Sequence, residues 1–303
     1  MSYHFEAPSA LTAGLEWSSP QDQRDDAAQA AKAKKAAQAA SRRQATKPLV
    51  PQKLSGFGLL TGPAVVLLIW ELASQLGWLP ARLLAAPSTA LVTGFSMVVH
   101  GNLLDHLWAS AQRAYVGLLI GVVMGVALAL ASGLSRWGEA SFDSLVQVKR
   151  AVPTLALIPL AILWLGIGET MKIALIATSV LIPVYINTHA ALRGIDIRYV
   201  ELAHTVGLTR TEFIRRVALP GAMPGFFTGL RLAVTTCWAA LVVLEQINTT
   251  EGIGYVMNRA RDYGQTEIIV VGLIFYALLG LASDMLVRLA ESRVLRYRKV
   301  IGS

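Results

Sequence analysis

Six stretches of the chain run for about the length of a bilayer crossing, roughly 20 residues, with scarcely a charge in them. They are 57–76, 114–135, 151–168, 173–192, 222–244 and 267–287. The second, third and fourth hold no charged residue at all; the first holds only Glu71 and the fifth only Arg231. Pro153 and Pro159 interrupt the third and Pro183 the fourth, which marks places where a bundle of such helices bends. A chain in lipid must satisfy its backbone internally, so long apolar runs joined by short polar segments predict an all-α membrane bundle of six spans. Gly117, Gly121 and Gly125 fall on one face of the second stretch, a spacing that lets a neighbouring helix approach closely and is read as packing within the bundle.

Composition agrees with that pattern. Of 303 residues, 54% are hydrophobic and 15% charged, and the mean hydropathy is +0.52. The formal charge of +8 would suit nucleic acid, but the basic residues sit in segments flanking the apolar stretches. Of the 27 Lys and Arg residues, 21 lie in the leader, in loops 136–150 and 193–216, and in the tail. Arg113 and Arg231 lie at or within the apolar stretches, and only Arg82, Lys172, Arg259 and Arg261 lie in the loops of the other side, so both termini are expected on the cytoplasmic side of the cytoplasmic (inner) membrane.

Residues 1–53 carry no apolar run of signal-peptide kind and include an Ala- and Lys-rich tract over 27–47. They are expected to be a disordered or loosely helical cytoplasmic leader that touches anionic membrane lipid, with no nucleic-acid role. A membrane domain is expected over 54–298 and a short cytoplasmic tail over 299–303. The single cysteine, Cys237, excludes a disulfide framework within one chain. No metal-ligand spacing occurs among the five histidines, and no phosphate loop of the G-x-x-x-x-G-K-[ST] type is present. No cofactor is therefore expected on this chain, and no catalytic residue is assigned.

The loop 193–221 is too polar to insert and too patterned for a plain connector. Asp196 is placed to cap a helix whose Tyr199, Leu202, Ala203 and Val206 form an apolar stripe, and Gly207 is placed to end it in a left-handed turn. Thr209 and Glu212 have the spacing of a capping box for a second helix, which Leu219-Pro220 is expected to stop. The product is a helical hairpin between two spans. A DNA-reading helix-turn-helix has the same outline, but a hairpin pinned at both ends to a membrane would hardly reach a groove.

On these residues the chain resembles the permeases of ABC importers. The segment Glu201-Leu-Ala-His-Thr-Val-Gly207, followed by Val217-Ala-Leu-Pro220, is similar to their coupling motif E-A-A-x-x-x-G with I-x-L-P nine residues later. Leu202 and Val217 depart from it with apolar residues. The segments 132–139, 155–166, 183–188 and Gly252-Ile-Gly-Tyr255 are similar to those of the sulfonate, taurine, nitrate and thiamine-precursor group, most of all to the aliphatic-sulfonate permeases. The resemblance covers roughly 57–298 and implies a type I importer fold acting as a homodimer. It implies as partners two cytoplasmic ABC ATPase subunits, which bind the ATP, and a periplasmic or external substrate-binding protein. It assigns ATPase coupling to Glu201, Ala203, Gly207, Val217, Leu219 and Pro220.

The fifth stretch carries a feature of its own. Thr228, Arg231, Thr235, Trp238 and Glu245 recur at helical offsets on one face among apolar neighbours. Charges inside a span usually face a cavity or a partner. The stripe is therefore a candidate lining of the translocation path, with Arg231 attracting an anion; the competing reading pairs Arg231 and Glu245 with other spans. Trp164, Tyr185 and Asn187 are further candidates for the path or for interfacial anchors. An ion-driven secondary transporter would show inverted repeats and mid-span acids, and a membrane enzyme would show clustered His, Asp or Glu; the sequence displays neither.

Overall fold

The computed structural model describes residues 31–35, 37, 56–247 and 249–297. The chain divides into two units, Met1–Ala64 and Val65–Ser303. In the first, residues 31–35 and 37 are helical and a helix begins at Gly56; the rest of the expected leader lies outside the described residues, as does the tail over 299–303. Among the described residues there is no strand.

Ten helices carry the description. They are α1 (Gly56–Gln75), α2 (Pro87–His100), α3 (Leu103–Gly133), α4 (Glu139–Ala151), α5 (Thr154–Leu165), α6 (Glu169–Arg193), α7 (Ile197–Thr205), α8 (Arg210–Leu244), α9 (Ile253–Asp262) and α10 (Thr266–Val294). Helices α3, α6, α8 and α10 are each long and apolar enough to cross a membrane, and α4 with α5 makes a fifth, bent crossing. Helix α1 covers the first apolar stretch, so each of the six has a helical counterpart.

Three expectations are corrected. The second stretch begins at Leu103 rather than at 114, because its first turns are polar and escape a hydropathy reading. The third is no straight span: α4 and α5 meet at 89° across Val152 and Pro153, and the supposed loop 136–150 is mostly helical. Proline offers no amide and pushes its predecessor out of the helical region, so the chain turns there. Leu219-Pro220 does not stop the second hairpin helix. A wide, π-type turn over Ile214–Ala218 leads directly into the span, and Pro220 sits in the first turn after it, where its missing N–H costs little. Helices α2 and α9 have 14 and 10 residues, too short to cross, and were not foreseen.

Helix α6 lies at the centre, with Met171, Ile176, Val180 and Val184 wholly buried. Two neighbours reach its backbone through glycine. On α3, a Cβ built at Gly117 would meet Ile176 Cγ2 at 2.5 Å, and one at Gly121 would meet the Ala177 carbonyl oxygen at 2.5 Å. On α8, a Cβ at Gly225 would lie 2.6 Å from the Asn187 carbonyl oxygen, and at Gly229 2.8 Å from that of Pro183. The glycine stripe in the second stretch is thus the seam between α3 and α6.

Valine at Gly121 would push against main chain that has no flexible end to yield. Gly121→Val is expected to destabilise the bundle by about 1–3 kcal/mol, the usual range for overpacking. Thermal unfolding of the purified protein in detergent checks this, with Gly62→Val as the control, since no atom lies within 4 Å of a Cβ there.

Candidate coupling hairpin and translocation cleft

The hairpin is built by local chemistry. Asp196 Oδ1 accepts the Arg198 amide at 2.9 Å and starts α7; Gly207 ends it at φ +74°. Thr209 Oγ1 accepts the Glu212 amide at 3.3 Å while Glu212 Oε2 accepts the Thr209 amide at 3.0 Å, so α8 opens on a complete capping box. The apolar stripe of α7 divides in two. Ala203 is buried, whereas Tyr199, Leu202 and Val206 are more than half exposed, a row of apolar side chains without cover in this chain. Glu201 and Gly207 are exposed beside that row. Val217 and Pro220 line a groove under the hairpin with Tyr199 and Ile195; Leu219 does not line it and is exposed.

Two contacts fix the hairpin to the bundle, and an ion pair braces the end of α6 from which it leaves. Phe213 and Ile195 pack on buried Leu192, Ala218 and Ala222. Arg210 Nη2 donates to the Leu134 carbonyl at the end of α3 at 2.8 Å, and Arg193 pairs with Glu139 at 2.7 Å. The hairpin is thus joined to the ends of α3 and α6, the latter tied in turn to α4, and runs on through the wide turn into α8.

Farther along α8, Thr228, Arg231, Thr235 and Trp238 line one cleft of about 690 Å³, closed on its other side by Gly280, Leu281, Asp284 and Arg288 of α10. Arg231 Nε donates to Asp284 Oδ1 at 3.4 Å, and Arg288 Nε to Asp284 Oδ2 at 2.6 Å, so two cations share one carboxylate and one positive charge is left over. Trp238 is held by its indole N–H on Ser283 Oγ at 3.2 Å. The structure thus brings four stripe residues to one cavity and also gives Arg231 a partner on another span.

Glu245 is not among them. It follows the last turn of α8, and its side chain is fully buried. Arg113 Nη1 donates to it at 2.7 Å, Tyr276 Oη at 2.8 Å and the Gly254 amide at 3.0 Å, and Ser110 Oγ lies 2.8 Å from both its oxygens. Arg113 also pairs with Glu169, which pairs with buried Lys172 at 3.1 Å. Two cations and two anions cancel in this cluster, which ties the starts of α3 and α6 to the end of α8. Gly252, at φ +118°, folds the 251–254 turn over the pair; a Cβ there would meet Glu245 Oε1 at 2.5 Å. The Gly252-Ile-Gly254 spacing was the sequence signal for this cluster, legible only as a likeness and not as a seat for buried charge.

Of the remaining candidates, Tyr185 is buried on Ser132 Oγ at 2.9 Å and stacks on His189. Asn187 donates to the Pro183 carbonyl at 2.8 Å, and Trp164 is 72% exposed on α5. None of the three lines the α8–α10 cleft. Among the described residues, no group of three or more His, Cys, Asp or Glu could hold a metal ion.

Residues 117–296 match the family described as binding-protein-dependent transport system inner membrane component. The chain is 43% identical over 235 residues to the putative aliphatic sulfonates transport permease protein of Escherichia coli, covering 78% of this chain and 89% of that protein. It is 38% identical over 241 residues to the protein of the same description in Bacillus subtilis, covering 80% of this chain and 87% of that one. Among solved structures, the crystal structure of an amino acid ABC transporter with histidines matches at a TM-score of 0.54 and 21% identity, over 66% of this chain and 97% of that chain. At that identity the likeness speaks for the fold.

Removing one member of a buried ion cluster leaves its partner uncompensated. Glu245→Ala is expected to cost about 3–5 kcal/mol, read as a lowered unfolding midpoint in detergent. The double variant Arg113→Met/Glu245→Leu should recover part of that loss, since replacing both ions leaves fewer unpaired charges.

Proposed function

This chain belongs to the family of binding-protein-dependent inner membrane transport components, and on that premise we propose that it carries aliphatic sulfonates inward as the permease subunit of an ATP-driven importer. The observation that carries the substrate is the 43% identity, over 89% of its length, to a permease described for aliphatic sulfonates. The excess positive charge in the α8–α10 cleft, from Arg231 and Arg288 around Asp284, is in keeping with an anionic cargo.

The working unit in this reading is a homodimer with two cytoplasmic ATPase subunits and an external substrate-binding protein. Both termini and the α7–α8 hairpin lie on the cytoplasmic side, as the distribution of Lys and Arg favours. ATP is held by the ATPase subunits. The exposed row Tyr199, Leu202 and Val206, with Glu201 beside it, forms the surface that enters the ATPase. Closure of the ATPase pair pushes this surface. The Arg210 and Arg193 ties pass the push to α3 and α4, and the wide turn passes it to the cleft-lining face of α8. Outward opening admits the anion, and hydrolysis resets the bundle inward.

Deletion of this chain in its host should abolish uptake of radiolabelled hexanesulfonate while sulfate uptake persists. Unchanged hexanesulfonate uptake would remove the substrate and leave the importer class standing.

The coupling role has a test of its own. No atom lies within 4 Å of a Cβ built at Gly207, so Gly207→Val acts only through its left-handed backbone, at a cost of about 1–2 kcal/mol. Membrane insertion should be normal, while co-purification of the ATPase, or uptake per ATP hydrolysed, falls several-fold. Normal values of both would make the hairpin a passive connector.

A further inference from the structure

The charge count along the sequence places Lys149 and Arg150 in a cytoplasmic loop, and the structure does not. They end α4 at its 89° bend, lining one cleft with Ser179 and Pro183 of α6 and Thr236 of α8. Ser179 and Pro183 stand near the middle of α6, roughly 15–21 Å from its two ends at the helical rise per residue. Two full positive charges therefore sit at mid-bundle depth. Removing them from the cytoplasmic side of the count leaves its asymmetry, and the orientation, as before.

Neither cation has a carboxylate partner among the described residues. Lys149 is half-buried, and its one bond is from Nζ to Thr154 Oγ1 at 2.6 Å. Arg150 makes no ion pair there. The free carbonyls at the end of α4 answer part of this charge, but a helix terminus carries only about half an elementary charge. An uncompensated charge at such depth is costly and usually marks a path or a ligand. The contrast with the rest of the bundle is sharp: Arg113, Lys172 and Arg231 each have an acid within 4 Å.

The cleft has a volume of about 400 Å³ and two kinds of wall. At the bend stand ammonium, guanidinium and the Thr154 hydroxyl. That hydroxyl accepts from Lys149 and so keeps its own hydrogen to give, and the ammonium has two further donors. The hydroxyls of Ser179 and Thr236 already donate to helix carbonyls and add no donor. Val152, Leu155, Ile182 and Ala239 make the remaining wall apolar. Thr236 lines this cleft and Thr235 the α8–α10 cleft, so the two open on adjacent faces of α8.

We propose that the cleft at the α4–α5 bend is an anion-binding site, in which Lys149, Arg150 and Thr154 hold a tetrahedral oxyanion and the apolar wall takes a short alkyl chain. This deepens the reading above and rests on the cargo being an organic anion. A sulfonate with an aliphatic tail has both parts. A lipid phosphate shares the headgroup chemistry but would have to sit far below the membrane surface.

The test uses the assembled importer (this chain, its ATPase and its binding protein) in vesicles of phosphatidylcholine alone, with radiolabelled hexanesulfonate. Lys149→Gln and Arg150→Gln should each raise the half-saturating concentration about tenfold or more, with binding-protein-stimulated ATP hydrolysis within twofold of wild type. Lys149→Arg should transport nearly normally. Wild-type saturation in both Gln variants overturns the site, and so does a Lys149→Arg variant as impaired as Lys149→Gln, which would mean that shape rather than charge matters. A defect that appears only when phosphatidylglycerol is added assigns the pair to lipid and overturns it likewise. If the wild-type importer does not move hexanesulfonate, the cargo reading fails, and direct titration of the purified complex decides the site alone. Hexanesulfonate binding that Lys149→Gln abolishes supports it; equal or absent binding in the two proteins sinks it.

Discussion

Helix α6 is approached from two sides by helices that have no side chain at the point of contact. In water, apolar surfaces would draw such helices together; in lipid that drive is absent, and association depends on close packing and on polar contacts between helices. Gly117 and Gly121 on α3, and Gly225 and Gly229 on α8, bring those backbones against α6 at distances where one methyl group would collide with main chain or, at Gly117, with the root of the Ile176 side chain. The three helices consequently form a slab with a single register. The cleft on α8 faces away from that slab toward α10, and the hairpin hangs from the ends of the same three helices.

At the opposite end of the slab from the hairpin, the register is locked by charge. Arg113, Glu169, Lys172 and Glu245 come from three helices and sum to zero. Glu245 accepts hydrogen bonds from the main chain as well as from side chains, which compensate its burial. Such a cluster adds little net stability compared with a well-packed apolar core. It does penalise any sliding of α8 along α6, because a shift of one turn would separate buried Glu245 from Arg113 and leave it unpaired. Packing fixes the distance between these helices and the ion cluster fixes their height.

Much of this was legible in the sequence, for identifiable reasons. The hairpin's caps and its turn could be read because each is a local event: Asp196, Gly207, Thr209 and Glu212 act within three residues of themselves, whereas Leu219-Pro220 was misread as a stop because the wide turn before it carries the helix on. The crossings were visible because lipid selects on composition. The bend between α4 and α5 was visible only as Pro153 in an apolar run, since hydropathy carries no direction and the same letters suit a straight helix or a turned one. That is also why Lys149 and Arg150 were assigned to a loop. Glu245 obeyed the spacing of its stripe, and its amide still bonds to the Leu241 carbonyl, but it lies two turns past Trp238, beyond the cleft and level with Arg113. Its partners, Arg113 and Tyr276, are more than thirty positions away along the chain, beyond any local pattern.

The wide turn at Ile214–Ala218 has a bearing on how the hairpin and the cleft relate. An α-helix advances about 100° per residue, and a turn that closes on the fifth residue instead of the fourth takes in one residue more. The segment after it is therefore out of angular phase with the segment before it by about that amount. Helix α8 is in this sense two screws of the same pitch joined with an offset. The first takes its orientation from the capping box at Thr209, and the second from the glycines against α6. The offset at Ile214–Ala218 thus sets the angle between the hairpin's face and the cleft-lining face of the same continuous rod, and one residue more or less there would turn one face by about 100° against the other.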